Sequence, residues 1–225
     1  MSDAEVTTNE LNRPSEFGSM TFSIKVKPVS SQAGRAKKDM VTDAIRDVTK
    51  PVKYLLSSDV SVEIVWFINE DERYESDASA DVDNIIKPIL DALSGPDGII
   101  INDCQVQYIS SHWVSRFDEE EYIEITIKYE PDAWYQKDSI IFVQLHKALC
   151  MPVCSKLPPV QLKILLDTFK TQINARERFL VMGENYYIAR TVMSIQRLYH
   201  KTRITDFKIV TLEDLRVKME TGVIN

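Results

Sequence analysis

The strongest constraint on the fold of this chain is a regular alternation of large apolar side chains in residues 60–68. Every second position carries one of them: Val60, Val62, Ile64, Trp66 and Ile68. Because successive side chains of a β-strand point to opposite faces, this spacing predicts a strand with one face in a hydrophobic core. Residues 22–26 and 123–129 repeat the pattern. The sequence therefore predicts a sheet whose apolar face is covered by a second layer.

A helix with acids along its border is predicted next in the chain. Its apolar stripe fits one side of a helix with a 3.6-residue period and consists of Ile85, Ile86, Ile89, Leu90 and Leu93. Asp83, Lys87 and Asp91 recur every four residues and share an adjoining face. Pro88 has no N–H to donate inside a helix. Either the helix begins late, with Asp83 or Asn84 near its cap, or it bends at Pro88.

The remaining elements of the N-terminal half complete an α+β domain. A first helix is predicted from about residue 35 to Val48, because Pro51 ends the helical pattern. A third strand is predicted for residues 103–115, and an acidic turn joins it to the fourth strand in a hairpin. The predicted order is β-α-β-α-β-β, which is typical of a mixed sheet with helices on one face.

A small, mostly helical C-terminal domain is predicted after this unit. Residues 139–149 are apolar and fit either a strand or a helix. The predicted helices span residues 158–179, residues 185–199 and the segment between a capping box at Thr211–Asp214 and Gly222.

Composition sets the domain boundaries and the compartment. Residues 1–19 are polar and are predicted to form a disordered leader. With the change to a mostly helical pattern after residue 131, the chain is divided into residues 1–19, 20–131 and 132–225. The leader has neither a basic start nor an apolar stretch, and no run in the chain approaches the ~18 apolar residues of a membrane helix. Three cysteines form no even disulfide framework. We therefore expect a cytoplasmic protein without a membrane segment.

The net charge of −7 is divided unevenly along the chain. Residues 1–132 carry 13 Lys or Arg and 26 Asp or Glu, whereas residues 133–225 carry 14 and 8. Opposite charges in the two halves suggest two units with different partners, or two units that attract each other. The basic second half is compatible with nucleic acid binding, and the acidity of the whole chain argues against it.

The acids around the second predicted helix have two interpretations. Asp81, Asp83 and Asp103 supply the carboxylates that a hard divalent cation such as magnesium prefers. Such a cation polarises a phosphoryl oxygen and activates a bound water, while Lys87 offsets the charge on a phosphate under attack. Alternatively, Asp83 and Lys87 form an exposed ion pair that adds only about 0.3–0.5 kcal/mol to helix stability, or Asp83 caps the helix.

The spacing of these residues resembles the motif of one protein family. The segment reads Asp81-x-Asp83-Asn84-x-x-Lys87-x-x-x-Asp91-Ala92-Leu93 and continues as Asp103-x-Gln105-Val106. It resembles the RusA-type Holliday-junction resolvases, also called crossover junction endodeoxyribonucleases, over residues 20–130. The resemblance implies a magnesium-dependent endonuclease that acts as a homodimer and cuts four-way DNA junctions symmetrically, in recombination and repair.

The resemblance also implies roles for individual residues. The implied metal ligands, which are catalytic together with Lys87, are Asp81, Asp83 and Asp103. Asn84 and Asp91 match motif residues that we interpret as supporting, and Asp91 can hold Lys87 from the next helical turn. We expect the three carboxylates to converge on one Mg²⁺ ion, with the amine of Lys87 close by.

A group of basic residues near the first strand and helix is predicted to contact DNA phosphates: Lys25, Lys27, Arg35, Lys37 and Lys38. The alternative interpretation is a solvated strand face and helix start. Resolving a junction requires one cut in each of two opposed strands, and two identical sites related by a two-fold axis do this with one kind of subunit. The expected partners are therefore branched DNA and a second copy of the chain.

Two other functions stay open at the level of the sequence. A nuclease of the same fold could act on other branched DNA, such as flaps, with the C-terminal domain choosing the target. The chain could instead be a catalytically silent module that binds DNA or a protein partner.

Overall fold

The computed structural model describes residues 11–75, 81–117, 120–193 and 197–221. The chain divides into two compact units, Met1–Lys137 and Asp138–Asn225, close to the predicted boundary after residue 131. Both units combine helices with sheets, so the predicted α+β class is confirmed. Among the described residues, none of the helices has both the length and the apolar character needed to cross a bilayer.

The first unit is built on a four-stranded mixed sheet. The strands of the whole unit are β1 (Ser19–Ile24), β2 (Tyr54–Leu56), β3 (Val60–Asn69), β4 (Val106–Arg116), β5 (Tyr122–Tyr129) and β6 (Trp134–Gln136). Its helices are α1 (Arg35–Thr49), α2 (Glu70–Glu75) and α3 (Ile86–Leu93). The sheet order is β1-β5-β3-β4, in which β3 and β4 are parallel and the other neighbours are antiparallel. Strands β2 and β6 form a separate antiparallel pair.

The sheet differs from the prediction in one pairing. Strands β4 and β5 were predicted to form a hairpin, and this is wrong because β3 lies between them. Every second residue of β3 is buried, so this strand gains most from a central position. Strand β4 carries several exposed side chains, including Tyr108 and His112, and an edge position leaves them in water.

Helices α1 and α3 cover the apolar face of the sheet. The five alternating residues that predict β3 are at most 2% exposed. They belong to one core with Ile45 of α1 and with Ile89 and Leu93 of α3. Burying one such side chain contributes about 1.5–3 kcal/mol relative to leaving it in water. This packing fixes α3, and with it the residues that precede and follow this helix.

The position of Pro88 is explained by a late helix start. Helix α3 begins at Ile86, after a turn over residues 82–85, so Pro88 lies in the first turn. An N–H in the first turn has no partner within the helix, and proline therefore costs nothing there. Of the two predicted alternatives, the structure has the late start, without a side-chain cap.

The predicted disordered leader is wrong for residues 11–19. Leu11 packs against the core of the first unit, and its carbonyl oxygen accepts a hydrogen bond from the N–H of Lys53 at 2.7 Å. The N–H of Ser15 donates to the hydroxyl of Tyr129 at 3.0 Å. The polar composition of this segment gives no indication of these backbone hydrogen bonds. Residues 1–10 of the predicted leader lie outside the described residues.

The second unit combines a small sheet with three helices in its described part. Its strands are β7 (Ile140–His146), β8 (Leu149–Cys154), β9 (Tyr199–His200) and β10 (Ile209–Thr211). Its helices are α4 (Pro159–Val181), α5 (Tyr186–Arg190) and α6 (Leu212–Thr221). The sheet order is β10-β7-β8-β9, with β10 parallel to β7. Leu162, Leu166 and Phe169 of α4 pack on this sheet's core.

The C-terminal unit was predicted to be mostly helical; two of its three predicted helices are present, and only residues 139–149 were considered as a possible strand of its sheet. The helix predicted for residues 158–179 corresponds to α4. The predicted capping box is present, because the N–H of Asp214 donates to Thr211 Oγ1 at 3.0 Å. The helix predicted for residues 185–199 is wrong, since α5 ends at Arg190 and Tyr199 lies in β9. Tyr199 is buried against Phe142 of β7, a tertiary contact that local periodicity does not report. Gly222 lies outside the described residues.

Candidate active site

The first two predicted acids lie on the segment that leads into α3. Asp81 and Asp83 are both exposed. The N–H of Asn84 donates to the carbonyl oxygen of Asp81 at 3.0 Å, which closes a turn between them. The N–H of Ser31 donates to the carbonyl oxygen of Asn84 at 2.8 Å, and the Ser31 hydroxyl donates to Asn84 Oδ1 at 3.4 Å. The loop before α1 therefore holds this segment in place through Asn84.

Lys87 projects from the first turn of α3 and meets two acids. Its Nζ donates to Asp91, one turn later on the same helix, and lies 3.5 Å from Asp103 Oδ2. The hydrogen bond from Lys87 to Asp91 is the main cause that raises the pKa of Lys87, partial burial opposes it, and the charge of Asp103 adds to it. The side chain of Lys87 is 62% exposed. Lys87 is thus a charged ammonium group at neutral pH that a phosphate can reach.

Asp103 is held by the short turn in which it lies. It begins a 3₁₀ turn, Asp103–Gln105, that leads directly into β4. The side chain of Asn102 accepts a hydrogen bond from the N–H of Cys104 at 3.1 Å and caps this turn. The Asp103 side chain is 25% exposed, so it is the most enclosed of the acids that meet Lys87.

The structure brings together Lys87, Asp91 and Asp103, and it does not gather the three predicted metal ligands. Across the described residues, no group of three or more His, Cys, Asp or Glu side chains is close enough to hold one metal ion. Like charges repel, which favours separated carboxylates when no cation lies between them. The chemistry of the three predicted donors, all carboxylates, fits a hard divalent cation.

The predicted DNA-contacting residues fall into two groups. Lys25 lies 2.8 Å from Glu120 Oε2, and Lys27 pairs with Glu72 and lies 3.7 Å from Glu121 Oε2. Lys25 follows Ile24, which lies in register with Trp66 of β3 across the sheet. Asp103 comes just before Val106 of β4, which pairs with Val60 at the other end of β3. Six residues of strand separate Val60 from Trp66, which corresponds to roughly 20 Å. Lys25 and Lys27 are therefore at the opposite end of the sheet from Asp103.

The second group, at the start of α1, is linked to the candidate site. Lys38 Nζ donates to the carbonyl oxygen of Ser31 at 3.3 Å, and Ser31 is the residue bonded to Asn84. Arg35 lies 3.7 Å from Asp39 and is almost fully exposed, and Lys37 is exposed. The sequence did not mark Ser31 as functional, because a single serine in a loop carries no recognisable pattern. The sequence likewise carried no sign that the side chain of Gln105 donates hydrogen bonds to the distant Leu56 and Ser58.

Comparison with known proteins identifies the segment that carries this site. Residues 21–128 match the family model described as Endodeoxyribonuclease RusA. The match runs from Thr21 in β1 to Lys128 in β5 and includes every candidate site residue. It confirms the resemblance inferred from the sequence for residues 20–130. A comparison with curated proteins finds no match.

Proposed function

We propose that the protein is a magnesium-dependent endonuclease that resolves four-way DNA junctions, because residues 21–128 match the model of the RusA endodeoxyribonuclease family. The observation that supports this proposal most is the pairing of Lys87 with Asp91 and Asp103. It sets a charged amine beside an acid of the family motif, on a surface open to DNA. Magnesium, when bound, polarises the phosphate and lowers the pKa of a coordinated water.

The residues of the site have separate roles in this proposal. The residues that would hold magnesium are Asp81, Asp83 and Asp103. Lys87 stabilises the negative charge that develops on the phosphate, and it is not a proton acceptor because Asp91 raises its pKa. Asp91 orients Lys87, and Asn84 holds the acidic segment against the loop before α1.

The substrate and the assembly follow from the chemistry of a junction. A four-way junction becomes two duplexes when one phosphodiester is cut in each of two opposed strands. A homodimer carries two identical sites related by a two-fold axis and makes both cuts. The basic residues at the start of α1 would contact phosphates beside the cut, and the cytoplasm is the expected compartment. Recognition would rest on junction shape and phosphate position.

A catalytically silent module that binds DNA or a protein partner is the second candidate function. One observation favours it: in the described part of the chain, the predicted metal ligands are not gathered. The exposed Lys87 and its two acids argue against it, because a silent module gains little stability from an exposed ion pair.

A substrate comparison in the presence and absence of magnesium tests the proposal. The purified full chain is incubated at equal concentrations with a labelled synthetic four-way junction, a flap and a plain duplex. We expect symmetric paired nicks in the junction, only when magnesium is present. Comparable cleavage of the flap would redirect the proposal to branched DNA in general. No cleavage of any substrate, together with no magnesium binding in calorimetry, would favour the silent module.

A further inference from the structure

We propose that Gln105 is the positioning residue for Asp103, because its side chain ties the residues just before Asp103 to the segment between β2 and β3. This inference rests on the proposed function, since it assigns Gln105 to the same site. Gln105 itself does not reach the reacting groups. It is fully buried, with 0% of its surface exposed.

The side chain of Gln105 uses its complete hydrogen-bonding capacity. Its Oε1 accepts from the N–H of Ile101 at 2.7 Å and from the N–H of Asn102 at 3.1 Å. Its Nε2 donates to the carbonyl oxygens of Leu56 at 2.9 Å and Ser58 at 2.6 Å. An amide offers two acceptor sites and two N–H donors, so all four are occupied. Only this arrangement of amide oxygen and nitrogen satisfies the four backbone groups.

These four bonds connect segments that are far apart in the sequence. Leu56 ends β2 and Ser58 precedes β3, whereas Ile101 and Asn102 come immediately before Asp103. A buried polar group with all its partners acts as a rigid link, because opening any one bond leaves an unpaired group in the core. Gln105 therefore fixes the two residues that precede Asp103 against the segment between β2 and β3.

Residues 99 and 100, just before the segment that Gln105 holds, are bonded to the end of α3. The N–H groups of Ile99 and Ile100 donate to the carbonyl oxygen of Leu93 at 2.8 and 3.1 Å. The N–H of Gly95 donates to the carbonyl oxygen of Ile100 at 3.0 Å. A continuous set of hydrogen bonds thus runs from Gln105 through residues 99–102 to α3. It determines where Asp103 stands relative to Lys87, which lies 3.5 Å from it.

Kinetics of junction cleavage provide the first test. Gln105→Met keeps the length and most of the volume of the side chain and removes all four hydrogen bonds. Displacing a reacting group by about 1 Å costs up to about 100-fold in rate, so we expect kcat to fall by roughly 10- to 100-fold while KM changes little. The control variants Ile125→Val and Ile125→Ala truncate a fully buried core residue of β5 and bracket the loss of stability. Under conditions in which all variants stay folded, the controls should keep the wild-type kcat.

A second test does not depend on cleavage or on metal. The ¹³C signal of the Asp103 carboxyl group is recorded by NMR at neutral pH in metal-free wild-type protein, in Lys87→Met and in Gln105→Met. Lys87→Met shows where this signal lies when the contact between Lys87 and Asp103 is lost. We expect Gln105→Met to move the signal toward that position, and the Ile125 controls to leave it unchanged.

The two tests fail separately. If the wild-type protein cuts no DNA, the proposed function fails, and the carboxyl signal still decides the role of Gln105. If Gln105→Met does not fold, Gln105→Glu takes its place, because it keeps the acceptor contacts with Ile101 and Asn102 and loses the donation to Leu56 and Ser58. An Asp103 signal at the wild-type position in the folded Gln105 variant would overturn the inference, as would a kcat no lower than that of the Ile125 controls.

Discussion

In the proposed mechanism Lys87 stabilises the charge on the phosphate, and Asp91 raises the pKa of Lys87. We predict that Asp91→Asn lowers the pKa of Lys87, because the hydrogen bond that favours the protonated amine is weakened. The raised pKa stabilises the fold below the ordinary lysine value of 10.5, and this contribution is lost as the pH rises through the raised value. Since the pair is exposed, the free energy of unfolding should change by no more than about 0.5 kcal/mol.

The measurement is an NMR titration of the Lys87 side chain, combined with urea unfolding. Asp43→Asn is the control, because Asp43 is an exposed acid of α1 and the charge change is the same. A Lys87 pKa equal to that of the wild type in Asp91→Asn would contradict the assigned role.

Lys137 gives a pH dependence of the opposite sign. Burial lowers the pKa of Lys137 to about 8, while its Nζ donates to the carbonyl oxygen of Thr49 at 3.0 Å. The unfolded chain therefore binds this proton more tightly than the folded chain does. We predict that the free energy of unfolding of the wild type, relative to Lys137→Met, rises between about pH 8 and about pH 10. Urea unfolding at constant ionic strength measures it, with Lys163→Met of α4 as the exposed control. A difference that stays constant over this range would refute the prediction.

At the scale of the elements, the turn after α3 depends on a glycine. A β-carbon on Gly98 would overlap the backbone of Leu93, which cannot move without disturbing α3. We predict that Gly98→Ala lowers the free energy of unfolding by about 1–3 kcal/mol, the usual cost of forcing an atom into a packed site. Gly34 precedes α1 with open space around it, so Gly34→Ala should change stability by less than about 1 kcal/mol. Equal stabilities of the two variants in urea would contradict this account of the turn.

Elements with a long, regular pattern could be predicted from the sequence, and elements defined by contacts could not. Strand β3 and helix α4 carry enough apolar residues at one spacing to identify them. Strands β9 and β10 contain two and three residues, too few for any period. Strands β4 and β5 were predicted to form a hairpin because they are consecutive in the chain. In the structure β3, the more buried strand, lies between them.

The candidate site shows the same division. Spacing identified Asp81, Asp83, Lys87 and Asp103 as one set, and the structure shows Lys87 beside Asp103. The hydrogen bonds of Ser31 and Gln105 join segments more than 40 residues apart. No local pattern reports such contacts, since they arise only when distant segments pack together.

At the scale of the whole molecule, an acidic chain has to approach a polyanion. We predict that Lys37→Ala flattens the slope of log K against log salt for junction binding by about 0.9, because Lys37 is exposed at the start of α1, next to Lys38, which is linked to Asn84 through Ser31. Lys25→Ala should leave the slope nearly unchanged, since Lys25 pairs with Glu120 at the opposite end of the sheet. Binding isotherms at several salt concentrations measure both slopes. A larger effect for Lys25→Ala would reverse the assignment of the DNA-contacting surface.

The central claim is that acids of the segment before α3 make the molecule a metal-dependent nuclease. The most direct measurement is the single-turnover cleavage rate of a four-way junction in magnesium for the wild type, Asp83→Asn and the control Asp43→Asn. We predict that Asp83→Asn binds the junction with wild-type affinity or tighter and cuts it at least about 100-fold more slowly, because only the metal site is damaged. Asp43→Asn should cut at the wild-type rate. Wild-type cleavage by Asp83→Asn would contradict the account.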